Sequence, residues 1–141
     1  MVASARIARH FDDHVLSCGL TAYAHPLTCA AIVAAIDATR EQGLVERAAR
    51  LGERLGPMLH ALARTRPFVR EVRGIGLLWA LELDAPAERM KRLSAALRAR
   101  HLHMHKREGM LFLAPPLVIT DEELDESLAA MGQALDDAWV A

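Results

Sequence analysis

Three histidines, His101, His103 and His105, recur at alternate positions in this chain. Alternate residues of a strand share one face, and imidazoles at that spacing are the right side chains for zinc. No carboxylate or further ligand stands at a matching spacing, so a solvated strand face is the ordinary reading and no metal is expected. Cys18 and Cys29 fall in different predicted elements and read as reduced, buried structural thiols. Asp12-Asp13 and Asp136-Asp137 read as solvated loop and terminal positions, since neither pair has the partner an acid-base couple needs. Residues 19–26, Gly-Leu-Thr-Ala-Tyr-Ala-His-Pro, are different. A loop of small residues with a hydroxyl, running into a helix N-terminus, is chemically suited to an anion, and phosphate is the natural guest. An ordinary helix-entry loop has a similar composition, so this segment alone does not decide.

The elements that must position these residues follow from periodicity. Val2, Ile7 and Phe11 suggest a short first helix. Pro26 suits a first helical position, and 27–42 reads as a buried, alanine-rich helix capped by Gly43. Leu44, Ala48, Leu51, Leu55, Leu59 and Leu62 recur at steps of three and four, the clearest helix in the chain. Pro57 lies inside it and predicts a kink or restart near Gly56. Over 68–83 the period changes to two, giving two strands punctuated by Gly74 and Gly76. Asp84 and Pro86 start a helix carrying Met90, Leu93 and Leu97, with Arg98 and Arg100 near its negative end. Residues 101–106 and 110–113 read as a strand hairpin. Thr120 and Glu123 form a capping box before a last helix that turns Leu124, Leu128, Met131 and Leu135 inward. The fold class predicted is α+β: long helices followed by a small antiparallel sheet with helices packed on one face.

Composition narrows the function. The 141 residues amount to one ordinary domain, and 52% hydrophobic content is enough for a core. Seventeen basic against eighteen acidic residues leave a net charge of -1, without the positive field of a nucleic-acid binder. The longest apolar run, 30–36, is far below the roughly 18 residues that suggest a membrane span. With no apolar leader segment, a cytoplasmic protein is expected. Residues 120–141 carry seven acids and no base, whereas 40–73 carry eight arginines against four acids. These opposite charges are expected to meet.

The motifs in order are Phe11-Asp12-Asp13, GLTAYAHPLTCAA at 19–31, EQGLVERAARLGERL at 41–55, VREVRGIGLLWALEL at 69–83 and APPLVITDEELDE at 114–126. Together they resemble the class III (omega-type) aminotransferases, pyridoxal-phosphate enzymes of fold type I, and the resemblance runs over 3–140. It implies that 1–43 is the end of the large-domain segment, with a cofactor-edge loop and the start of the connecting helices. Residues 44–141 would be the C-terminal small α+β domain. By the resemblance, Thr21 reaches across a dimer interface to the phosphate of pyridoxal 5'-phosphate. Tyr23-Ala24 stands where the family usually has a Ser-Gly or similar pair. Arg107 is the nearest chemical match to a mobile arginine that grips a substrate carboxylate, with Lys106 and His105 as positional rivals. Arg73, in Arg-Gly-Ile-Gly, belongs to the signature and reads as structural.

The family's Schiff-base lysine and the acid on the pyridine nitrogen lie upstream of the matched segment. Lys91 and Lys106 are the only lysines here, and neither is at the family position. No catalytic residue is therefore assigned, and the chain is expected to be inactive alone. The implied partner is an upstream large domain or a lysine-bearing second chain, within a homo-oligomer. The alternative is a non-enzymatic assembly partner or a self-associating remnant. Without its partner, the apolar faces of 27–36 and 44–62 are expected to be partly uncovered.

Overall fold

A computed structural model describes residues 4–17, 19 and 24–140. They form two compact units, divided between Ala38 and Thr39. The first carries α1 (Ala5–Ala8), a 3-10 helix (Arg9–Phe11) and most of α2 (Pro26–Glu41). The Ser4 hydroxyl caps α1 by accepting from the Ile7 amide.

Helix α2 begins at the proline, where the missing N–H costs nothing. Its apolar row is not buried as its composition suggests but is uncovered, as expected of the 27–36 face without a partner: Leu27, Ile32, Val33 and Ile36 are 74%, 53%, 57% and 44% exposed. Apolar composition shows that a helix needs a cover without showing where that cover comes from. Cys29, expected as a buried thiol, is likewise exposed.

The second unit is the predicted α+β arrangement. Its elements are α3 (Leu44–Arg64), β1 (Val69–Ile75), β2 (Leu78–Leu83), α4 (Ala87–Ala99), β3 (His105–Arg107), β4 (Met110–Leu113) and α5 (Asp121–Trp139). The sheet is antiparallel throughout, in the order β1-β2-β4-β3. Val72 pairs with Leu81, Leu81 with Leu111, and Leu111 with Lys106, so these four share a face. On that face Leu81 and Leu111 are fully buried among leucines of α3, α4 and α5. The other face carries Arg73, Glu82, Met110 and His105. Arg73 is fixed there by Glu71 at 2.6 Å and Glu82 at 3.2 Å, as a structural residue.

Helix α3 presents Leu51, Leu55 and Leu59 to this core, each 0% exposed. The expected uncovered face of α3 is therefore covered by this chain's own sheet and helices. The helix does not restart at Pro57: α3 is one continuous helix through it. Pro57 and Glu53 are both exposed, so the proline lies on the outer side of the helix, while buried Leu55 and Leu59 hold α3 in place. Gly52 backs directly onto the β1–β2 turn, where Gly76 takes φ 54°. Leucine periodicity would favour a bulkier residue at position 52, but the close approach excludes one.

The expected charge pairing is realised between α3 with its following turn and α5, and Arg100 after α4 adds a further pair. Arg54 bonds Asp121 at 3.0 Å and also Asp125, and Arg100 bonds Asp137. Arg66 grips both oxygens of Asp136, at 2.8 and 2.6 Å, and donates to the Leu62 and Gly132 carbonyls. Most of these groups are half-exposed, and such pairs fix orientation more than they stabilise. The Thr120 capping box is formed in both directions, at 3.1 and 2.9 Å. Thr120→Ala is expected to lower stability by about 1 kcal/mol, measured by urea unfolding. An unchanged midpoint would show that Glu123 alone holds the helix start.

Candidate functional site

The anion loop is visible only at its margins. Thr21, Tyr23 and Cys18 lie outside the described residues. At the helix entry, Ala24 takes φ 59° and the His25 ring accepts from the Leu27 amide at 3.3 Å. His25 also contributes its carbonyl to the Cys29 amide at 3.0 Å. One first-turn donor of α2 is thus already satisfied by the chain itself.

Arg107 ends β3 just before a two-residue turn in which Glu108 and Gly109 have φ 47° and 82°. Successive positive φ values suit a tight hairpin, and glycine supplies the second without strain. Arg107 is well exposed, and its contact with Glu108 is loose, at 3.6 Å. A long, exposed guanidinium at a hairpin tip is free to reach outward. Its rival His105 pairs with Phe112, the two rings 5.4 Å apart. His105 and Arg107 share one face of the sheet, and Lys106 lies on the other.

Lys106 is half-buried and donates to the Met104 carbonyl at 2.8 Å. Burial holds its ammonium below the ordinary lysine range, and the positive charge of Arg98 adds to this.

The three histidines do not form the shared face that their spacing suggests. Strand β3 begins only at His105, because His101 takes φ 58° at the end of α4 and the next residues carry the chain from helix to strand. Among the described residues no group of three or more side chains stands ready to hold a metal.

A groove of about 390 Å3 lies beside the β3–β4 hairpin, walled by Leu102, His105, Phe112, Pro115, Leu128 and Met131. Sequence reading missed it. The signal was present at 111–113, where three consecutive apolar residues on a strand of period two require apolar surroundings on both faces.

Comparison with known proteins fits this geometry. The family Aminotransferase class-III matches residues 1–135. An ornithine aminotransferase of Bacillus cereus is 38% identical over 111 residues, covering 76% of this chain and 26% of that protein. An acetylornithine aminotransferase of Methanothermobacter thermautotrophicus is 30% identical, covering 97% and 34%. Among solved structures, a thermostable (S)-enantioselective omega-transaminase from Thermomicrobium roseum superposes with TM-score 0.83 at 32% identity, covering 97% of this chain and 33% of that one. A taurine:2-oxoglutarate aminotransferase from Bifidobacterium kashiwanohense, in complex with PLP and glutamate, gives TM-score 0.81 at 32% identity, covering 94% and 32%.

The chain belongs to the class III aminotransferase family. It spans about a quarter to a third of the length of the relatives it matches. Among the described residues no helix is long and apolar enough to cross a membrane.

Proposed function

We propose that this chain supplies the C-terminal part of a pyridoxal-phosphate-dependent aminotransferase, moving an amino group between an amine or amino acid and a keto acid. On this reading 1–43 ends the cofactor-bearing domain and 44–141 is the small domain. The rest of the enzyme, in the same polypeptide or a second one, carries the lysine that holds the cofactor. The observation that carries the reading is the family match over almost the whole chain, together with coverage of only a third of each relative.

Bound pyridoxal phosphate supplies an electron sink. This chain's contribution is to position. Thr21 would hold the cofactor phosphate of a partner subunit in a homo-oligomer, and Arg107 would orient a substrate carboxylate from its hairpin tip. Neither Lys91, on the exposed side of α4, nor Lys106, turned toward the helices, is assigned to cofactor attachment. The uncovered row on α2 favours association, and docking against the cofactor-bearing part would bury it. The same row supports a second reading, a self-associating module without catalysis. Function in the cytoplasm, where thiols are kept reduced, is part of this reading.

The test is native purification with intact mass and a transamination assay. Amino transfer is expected only when the 141 residues accompany a lysine-bearing large domain, as a larger polypeptide or a co-purifying chain. The isolated chain with added pyridoxal phosphate should show no turnover. Turnover by the isolated chain, or a native species made only of 15.5 kDa copies, would overturn the proposal, and the second outcome would favour the self-associating module.

A further inference from the structure

Among the described residues some cations have carboxylate partners, and the lysines, like several arginines, have none. Arg54, Arg66, Arg70, Arg73 and Arg100 each have a carboxylate within 3.2 Å. The only two lysines, Lys91 and Lys106, have no carboxylate partner among the described residues.

Both nevertheless border one cavity of about 410 Å3, with Met90 and Ser94 of α4 on one side and Arg107, Glu108 and Gly109 of the hairpin on the other. Three cations stand there against one carboxylate, and Glu108 approaches only Arg107, at 3.6 Å. The Ser94 hydroxyl already donates to the Met90 carbonyl at 3.0 Å, so the donors left to meet a ligand are those of Lys91, Lys106 and Arg107. Lys106 gives one N–H to Met104 and keeps two.

We propose that this cavity between α4 and the β3–β4 hairpin binds a small phosphomonoester, with Lys91 and Lys106 as its phosphate ligands. Two ammonium groups are compact point charges that match a phosphate dianion approached from two elements, whereas a single planar carboxylate favours the fork of an arginine. The space exceeds that of a bare phosphate, and Met90, Ala85 and Ala87 offer an apolar floor for the organic part. A bound dianion would also relieve the cost of holding the Lys106 ammonium partly out of water. The inference does not depend on amino transfer. Arg107 borders the same cavity, so the test is placed on Lys91, which has no part in that reading.

The experiment is a titration of the full 141-residue chain with phenyl phosphate at constant ionic strength, followed by backbone amide NMR. Saturable shifts are expected at residues 87–94 and 106–109. Lys91→Gln, on an exposed helix face, should weaken binding about tenfold, while Lys91→Arg keeps most of it. Lys106→Gln should abolish the rise in Tm that phenyl phosphate gives the parent chain. Non-saturating shifts, benzoate binding as tightly as phenyl phosphate, or unchanged affinity in Lys91→Gln would each overturn the assignment. Because no added cofactor or amino donor is involved, failure here is distinguishable from failure of the aminotransferase reading.

Discussion

Gly52→Ala should unfold the second unit at markedly lower denaturant, a loss of about 3 kcal/mol at the upper end of ordinary overpacking. On an open helix the same change would stabilise by up to about 1 kcal/mol, because alanine is the better helix former. Here the sign reverses. A Cβ at position 52 would sit 2.5 Å from the Gly76 Cα and 2.6 Å from its carbonyl oxygen, so only backbone can give way. Gly76 is itself held at φ 54° in a tight turn whose carbonyl accepts the Trp79 indole N–H at 2.7 Å. Moving that turn would disturb Trp79 and, with it, the docking of β1 and β2 on α3. Urea unfolding by circular dichroism reads the effect directly, and a variant as stable as the parent would show that α3 and the turn are not in close contact.

Leu55→Ala is expected to cost about 3 kcal/mol, within the range of buried leucine truncations. Leu55 is fully buried in the middle of α3 and also borders the groove beside the hairpin. Truncation would open that groove into the core, so the space is not sealed and neighbours can settle into it only by abandoning contacts with Leu128 and Met131. Leu93→Ala, fully buried but away from the groove, is the natural comparison. A loss below about 1 kcal/mol for Leu55→Ala would mean that the groove collapses in solution, against the walls seen here.

Much of the second unit was legible in the sequence because its local signals agree with its tertiary demands. The leucine period of α3, the alternation over 69–83 and the Thr120 capping box each specify one conformation. The start of β3 was not legible, since alternating His, Leu, His, Met and His imitates a strand even where the chain is still leaving α4. A restart at Pro57 did not follow, because the leucines on either side of it, Leu55 and Leu59, are both fully buried and keep one helix docked. The α2 helix reads as buried by composition, yet its face over 27–36 is uncovered as expected of a chain without its partner, because its cover is not specified by the helix itself. Of the candidate site, Arg107 could be placed at a hairpin tip from Glu108-Gly109 alone. The convergence of Lys91 and Lys106 could not, because fifteen positions separate them in sequence and only the docking of α4 beside the hairpin brings them together.

Among the described residues, the order β1-β2-β4-β3 leaves β1 and β3 as the two edges of the sheet. A border with free backbone donors and acceptors can recruit a strand from another molecule and so seed fibrils. One border here is only three residues long, and the other carries Arg70, Glu71 and Arg73 along its length. Charged side chains and the register irregularity between Val69 and Glu71 blunt β1 as a template, and β3 is too short to template more than a few bonds. Whatever surface α2 leaves uncovered, copies of this chain are thereby steered toward meeting through side chains, which can separate again, and away from backbone polymerisation, which rarely does.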